Sequence, residues 1–428
     1  MHAPARSPAL APFRVRSFKF QWPADLAASW AFEMETLILG WYVLTATGSV
    51  RALVLFGALQ WAGSLLSPLF GVAGDRIGHR TLLYATRAAY ALLAAALALL
   101  ALSGTLAPWH AFVIAGIAGL MRPSDLLMRQ ALIAQTMTGA QLLGALSISR
   151  TTADTARIAG ALAGAGGVAA FGIGPVYVVV TLLYIASFVL SLGVAGAPVV
   201  AEAPVVAGAP AAAARPAPQG TPWRDLGSAF SYVWARPPLL AAMAMAFLVN
   251  LLAFPFSMGL LPYVAREVYA AGQAGLGYLA AAFAAGGLIG SLTLSTNRLA
   301  LRAARSMLVA GAAWFFVILL FGRSNHLAVG IALLAVAGVL HNFCLMPLAA
   351  VMLRVSDAGM RGRVMGMRML AIWGLPAGLL AAGSLVESIG FVATATLFTL
   401  TGLVLTLAIA LRWRADLWPA SAAANTRA

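Results

Sequence analysis

Twelve runs of the chain are long and apolar enough to be read as bilayer spans. They cover roughly 22–46, 51–73, 81–103, 107–128, 141–168, 173–195, 239–261, 275–297, 306–322, 327–350, 365–387 and 390–412. A helix needs about 20 apolar residues to cross about 30 Å of hydrocarbon. In hydrocarbon each backbone N–H and C=O must be satisfied within its own segment, which leaves helices as the only spanning structure for such runs. The pattern therefore predicts an all-α polytopic membrane protein. Composition points the same way. The chain is 62% hydrophobic and 9% charged, whereas soluble domains are about half apolar and about a quarter charged.

The basic residues test the count and set the orientation. Of 27 Lys and Arg, twenty-two fall in segments on the same side as the N terminus. Three, Arg51, Arg266 and Arg323, fall on the opposite side, and Arg150 and Arg157 lie inside the fifth run. A missed or false span would mix the two sets. The separation predicts both termini in the cytoplasm. The net charge of +15 is thus a matter of membrane topology, and no nucleic-acid partner is expected. The N-terminal segment "MHAPARSPALAPFRVRSFKFQWP" has no apolar core followed by a cleavage site and is read as a cytoplasmic tail.

Residues 196–223, "GAPVVAEAPVVAGAPAAAARPAPQGTPW", are too broken by proline to span and read as a semi-rigid linker. The expected organisation is a tail (1–21), a six-helix bundle (22–195), a cytoplasmic linker (196–238), a second six-helix bundle (239–412) and a tail (413–428). A faint repeat relates the halves: "RPSDLLMR" (122–129) closes the fourth span and "MPLAAVMLR" (346–354) closes the tenth. Parallel repeats about an axis normal to the membrane are a known transporter design.

The turn between the second and third spans reads "GVAGDRIGHR" (71–80), with four ionisable side chains in ten residues. It is similar to the signature G-x-x-x-D-R-x-G-x-R of the major facilitator superfamily, matching at Gly71, Asp75, Arg76, Gly78 and Arg80. "WYVLTATGSV" (41–50) and "RGRVMG" (361–366) further resemble the bacterial branch that includes siderophore and drug exporters. The resemblance implies the major facilitator fold, with twelve transmembrane helices in two bundles. It also implies that the turn latches the two halves in the outward-facing state, with Arg122, Arg129 or the start of the eleventh helix as partner. The matching loop of the second half, "STNRLALRAAR" (295–305), keeps arginines but lacks the aspartate and glycines, so the latch is one-sided.

A charge at mid-membrane costs at least about 2.5–3.5 kcal/mol, so each one is a functional candidate. Asp25 follows Pro23 in an ordinary helix-start position. Glu33 and Glu35 lie near the midplane, two residues apart and so about 200° around a helix. One should face a cavity and the other a structural partner. In the fifth span Arg150, Asp154 and Arg157 form one stripe at i, i+4 and i+7. Asp154 can neutralise one arginine, and a carboxylate of the first span can take the other. Gly160 and Gly164 allow close helix packing. Antiporters of the resembled family often carry Gly-Pro here, where this chain has Ala161.

In that family the first, fourth, seventh and tenth helices line the cavity, which singles out Asn250, His341 and Asn342. The nearby Phe and Met residues, if they line it, suit a bulky amphipathic ligand. There is one cysteine, Cys344, and no metal-ligand spacing. No catalytic constellation, cofactor or metal site is expected. The reading is a monomeric secondary transporter of the bacterial cytoplasmic membrane, moving a small-molecule substrate outward in exchange for protons. An importer or symporter on the same fold is the alternative. A non-transporting sensor or scaffold would need an appended soluble domain, for which the tails and linker are short.

Overall fold

A computed structural model of the chain describes residues 8–66, 70, 73–74, 76–137, 139–194, 222–295, 303–357 and 360–417. Every regular element among them is helical. The first bundle comprises α1 (Arg16–Thr47), α2 (Val50–Leu59), α3 (His79–Leu102), α4 (Pro108–Thr136), α5 (Gly139–Phe171) and α6 (Ile173–Leu192). An amphipathic helix, α7 (Pro222–Trp234), precedes the second bundle of α8 (Pro237–Leu252), α9 (Gly272–Ser295), α10 (Ala303–Phe321), α11 (Leu327–Val355), α12 (Arg361–Ala371), α13 (Gly374–Ile389) and α14 (Phe391–Arg412). A single turn, α15 (Arg414–Leu417), follows.

Among the described residues nine helical segments are long and apolar enough to cross a membrane by length and composition. The other three expected spans are α1 and α5, which each carry several interior charges, and α2, which gives way to a 3-10 turn over Ala62–Leu66. Polarity is inverted relative to a water-soluble protein. Large apolar side chains such as Leu92, Leu182 and Leu411 point outward, while Arg87, Asp125, Asp154 and Glu35 are buried. That is what a bilayer solvent requires, since apolar surface costs nothing there and unpaired charge costs much.

Three expected boundaries are adjusted. The seventh run continues past α8 through wide turns at Pro255–Gly259 and Val264–Val268, because Pro255 cannot donate the helical hydrogen bond. The eleventh run is broken between α12 and α13 at Ile372 and Trp373. The linker ends in the helix α7, whose Ala229 and Val233 are buried while Phe230 and Trp234 are exposed. Residues 195–221 lie outside the described residues, as do Gly71 and Asp75.

The bundles meet along two seams, α2 on α13 and α5 on α9. Small residues set both. A Cβ on Gly277 of α9 would lie 2.8 Å from Ala165 Cβ and 3.1 Å from the Ala161 carbonyl of α5. Polar bonds join the bundles at the end opposite the termini. Arg51 Nε lies 2.5 Å from Glu387 Oε2, and Arg266 Nη1 donates to the Leu44 carbonyl at 2.9 Å. Within the second bundle α9 and α11 are in backbone contact: a Cβ on Gly338 would sit 2.0 Å from the Phe283 carbonyl oxygen. Gly338→Leu should therefore separate these helices. Overpacking of this kind costs about 1–3 kcal/mol or more. Size-exclusion chromatography of extracted protein should show loss of the monodisperse peak. Gly366→Ala, at a position with nothing within 4 Å, should leave the peak intact.

Candidate functional site

The charged interior of the first bundle divides into two groups. The first is closed. Arg87 of α3 is fully buried and its guanidinium bonds Asp25 of α1, lies 3.4 Å from Asp125 Oδ1 of α4, and donates to Ser191 Oγ of α6 at 2.6 Å. Arg129, one turn beyond Asp125, lies 2.5 Å from Asp125 Oδ2 and 3.6 Å from Asp25 Oδ1. It also donates to Ser29 Oγ, and Gln21 donates to its carbonyl. Two guanidinium groups face two carboxylates, so the quartet is neutral and ties four helices together. Sequence reasoning missed it by treating Asp25 as a helix start and Arg87 as a topology charge. The available signal was the i, i+4 pair Asp125–Arg129 inside an apolar run, which left an aspartate and an arginine on neighbouring spans still to be matched.

Glu35 is also sealed. Its carboxylate accepts from Tyr184 at 2.8 Å and Tyr177 at 3.5 Å, both on α6, and Tyr90 stacks on Tyr184. Glu33 faces the opposite side of α1, as a spacing of two residues requires. Arg157 Nε of α5 donates to Glu33 Oε1 at 3.4 Å. Gly160 permits this approach: a Cβ there would lie 2.8 Å from Glu33 Cβ. Arg157 lies 3.9 Å from Asp154, which lies 3.3 Å from Arg150. The Glu33 side chain is 17% exposed, Arg157 28% and Arg150 53%, while Asp154 between the two arginines is buried at 5%. Glu33 and the two arginines of the second group are thus only partly buried. Arg122 of α4 belongs to it, packed over Phe32 at 3.8 Å and Trp61 at 4.3 Å and within reach of the charges of Glu33 and Arg157.

In the second bundle the structure separates the three polar candidates. Asn342 bonds the Gly287 carbonyl and holds α11 on α9, away from the space between bundles. Asn250 donates to the Ala246 carbonyl of its own helix at 2.8 Å. His341 is buried among Phe254, Trp314 and Phe283, with ring centroids at 5.2, 5.2 and 5.5 Å, and its Nδ1 has no hydrogen-bond partner. In the signature turn, Arg76 is exposed and Gly78 takes φ +96° ahead of α3. Arg80 donates to the Leu192 carbonyl at 3.1 Å, within its own bundle. Arg122 and Arg129, the expected partners of the turn, are occupied as described above.

The profile of the Major Facilitator Superfamily matches residues 26–379. The chain belongs to this family. Major facilitator proteins are membrane transporters, and this one is a multi-pass integral membrane protein with a transporter's fold, not an enzyme. Solved structures agree on the fold. An auto-inhibited POT-family peptide transporter matches with TM-score 0.71 at 13% identity, over 96% of this chain and 99% of that one. A bacterial homolog of the human lysosomal transporter Spinster, inward-facing and unoccupied, matches with TM-score 0.66 at 12% identity, over 93% and 95%. The nucleoside transporter NupG matches with TM-score 0.67 at 14% identity, over 93% and 99%. No curated protein matches the chain by sequence.

Within this facilitator the neutral quartet is a structural clasp. Removing one partner of a buried pair leaves an uncompensated charge and costs about 3–5 kcal/mol. Arg87→Met should lower the thermal unfolding midpoint of the detergent-solubilised protein sharply. Adding Asp25→Leu, which restores neutrality, should recover much of the loss.

Proposed function

We propose that this facilitator is a proton-coupled exporter of a small amphipathic compound, with Glu33 as the proton carrier. The observation that carries the reading is the contrast between the two glutamates. Glu35 is held by two tyrosine hydroxyls inside one bundle, whereas Glu33 pairs with a partly exposed arginine at the space between bundles. Ionised Glu33 holds Arg157; protonated Glu33 releases it. Arg157 lies on α5, and one to two turns further along α5 are Ala161 and Ala165, the residues against which Gly277 of α9 packs. A proton on Glu33 is thereby felt at the seam on which the bundles rock. The bonds of Arg51 with Glu387 and Arg266 with Leu44 close the end opposite the termini. With both termini cytoplasmic, the described state is open to the cytoplasm, and the signature turn with Asp75 engages in the opposite state.

Outward direction is supported by the likeness of "WYVLTATGSV" and "RGRVMG" to the bacterial branch that includes siderophore and drug exporters. The partly exposed ring of Phe254 supports an amphipathic cargo. The protein acts as a monomer in a bacterial cytoplasmic membrane in this reading. The substrate is found by comparing compound susceptibility of deletion and overexpressing cells. Transport is then followed in proteoliposomes with an imposed pH gradient. Glu33→Gln should reduce concentrative transport to that of empty vesicles while leaving substrate exchange, and Glu35→Gln should retain concentrative transport. Parental concentrative rates in Glu33→Gln would remove Glu33 from the coupling path. Accumulation in the reverse sense would favour the importer.

A further inference from the structure

We propose that the second bundle carries a phospholipid site at the membrane face on which the termini lie. An acyl chain fills a groove between α7, α8 and α12, and a phosphoethanolamine head group bridges Arg412 and Asp416. The site lies outside the charged interior of the first bundle. Its occupancy does not depend on what the facilitator transports or on which ion drives it.

The groove is built by tethered elements. Near the end of α7 the Tyr232 hydroxyl donates to Asp357 Oδ2 at 2.9 Å and accepts from the Asp357 N–H at 2.9 Å. Arg236, stacked over the Tyr232 ring at 3.6 Å, lies 3.1 Å from the same carboxylate. So fixed, α7 turns Ala229 and Val233 into the bundle. Phe230 and Trp234 stack on each other with ring centroids 5.6 Å apart and stay more than half exposed. They border a cavity of about 810 Å³, walled by Leu240, Met243 and Phe247 of α8 and by Met367 of α12, with no charged side chain in its lining. That volume lies within the range of about 300–1,000 Å³ usual for small-molecule sites. A second cavity of about 520 Å³ shares Trp234, Leu240 and Ala244 with the first and ends at Arg412, Trp413 and Asp416. The two form one groove with an apolar body and a charged mouth.

Depth and charge select the occupant. From Pro237 to Phe247, α8 rises about 15 Å at about 1.5 Å per residue. That is one leaflet of a hydrocarbon core about 30 Å thick. The groove therefore runs from head-group level, marked by the helix ends at Pro237 and Arg412, to the level of the bilayer midplane, which is the path of an acyl chain. Trp234 and Trp413 flank the mouth, and tryptophan favours the boundary between hydrocarbon and water. Arg412 and Asp416 stand on either side of the α14–α15 junction, both exposed and neither in a salt bridge among the described residues. An anionic head group would leave the carboxylate facing a like charge. A head group that carries both signs satisfies both side chains. Guanidinium N–H groups bind the phosphate oxygens, and a primary ammonium donates to the carboxylate. A choline head group has no N–H to give, and a glycerol head group brings no positive charge to Asp416.

The test is native mass spectrometry of the full-length protein released from nanodiscs. The nanodiscs hold equal parts of phosphatidylethanolamine, phosphatidylcholine and phosphatidylglycerol with matched chains. One phosphatidylethanolamine should be retained about fivefold or more over either of the others, the weight of one charge-assisted hydrogen bond. Asp416→Asn should lose most of that preference, and Arg412→Gln should lower retention of all three lipids. Both rim positions are exposed, so these variants test the head group without disturbing the packing. Ala244→Phe, which fills the groove, should abolish retention in protein that keeps its monodisperse peak. Equal retention of the three lipids, a preference for phosphatidylglycerol, or a preference unchanged in both rim variants overturns the proposal. Full retention in Ala244→Phe overturns it too, as does retention of no lipid, the result expected if residues 195–221 fill the groove. The measurement needs neither a proton gradient nor a transported compound, so its failure and the failure of Glu33 coupling are separate results.

Discussion

The pairing of charge inside the membrane governs this molecule. A bilayer offers no water to solvate an isolated guanidinium or carboxylate, so each interior charge must find a counter-charge, a hydrogen-bond donor or a water-filled space. Arg87 shows the strictest case. It is fully buried and reaches two aspartates and a serine on three other helices. The packing of the first bundle follows from this. Its apolar core is split into smaller clusters around the polar centre, whereas the second bundle, nearly free of interior carboxylates, has one continuous core.

The same physics separates structural from functional charge. In the quartet of Asp25, Arg87, Asp125 and Arg129 the charges cancel around the fully buried Arg87, so none can change state without breaking the fold. Along α5 the pairs are longer, Arg150 with Asp154 at 3.3 Å and Arg157 with Glu33 at 3.4 Å, and both arginines are partly exposed. A pair that can separate at low cost is one that a proton or a ligand can work. Placing it on α5, a helix of the seam with α9, gives a local protonation event a route to the relative position of the bundles.

Much of the fold was legible because hydrocarbon restricts the alternatives. Span count, the division into two halves and the membership in a transporter family all follow from apolar runs, a basic-residue asymmetry and one signature turn. The opposed faces of Glu33 and Glu35 follow from helical period alone, and so does the Arg150–Asp154–Arg157 stripe. What sequence could not supply was rotation and lateral neighbourhood. Nothing in the run around Asn342 says that its amide meets Gly287 of α9 and not the space between bundles. Arg87 counted as a loop charge because period does not reveal that its side chain turns inward to meet Asp25 and Asp125.

The account's central claim is that Glu33, alone of the two midplane glutamates, exchanges a proton with the space between the bundles. Infrared difference spectroscopy of the reconstituted protein, recorded as pH is lowered, reads carboxylic acid protonation directly and without a substrate. The account predicts a protonated-carboxyl band that grows on acidification, is missing in Glu33→Gln and persists in Glu35→Gln. A band that survives Glu33→Gln and disappears in Glu35→Gln would contradict it.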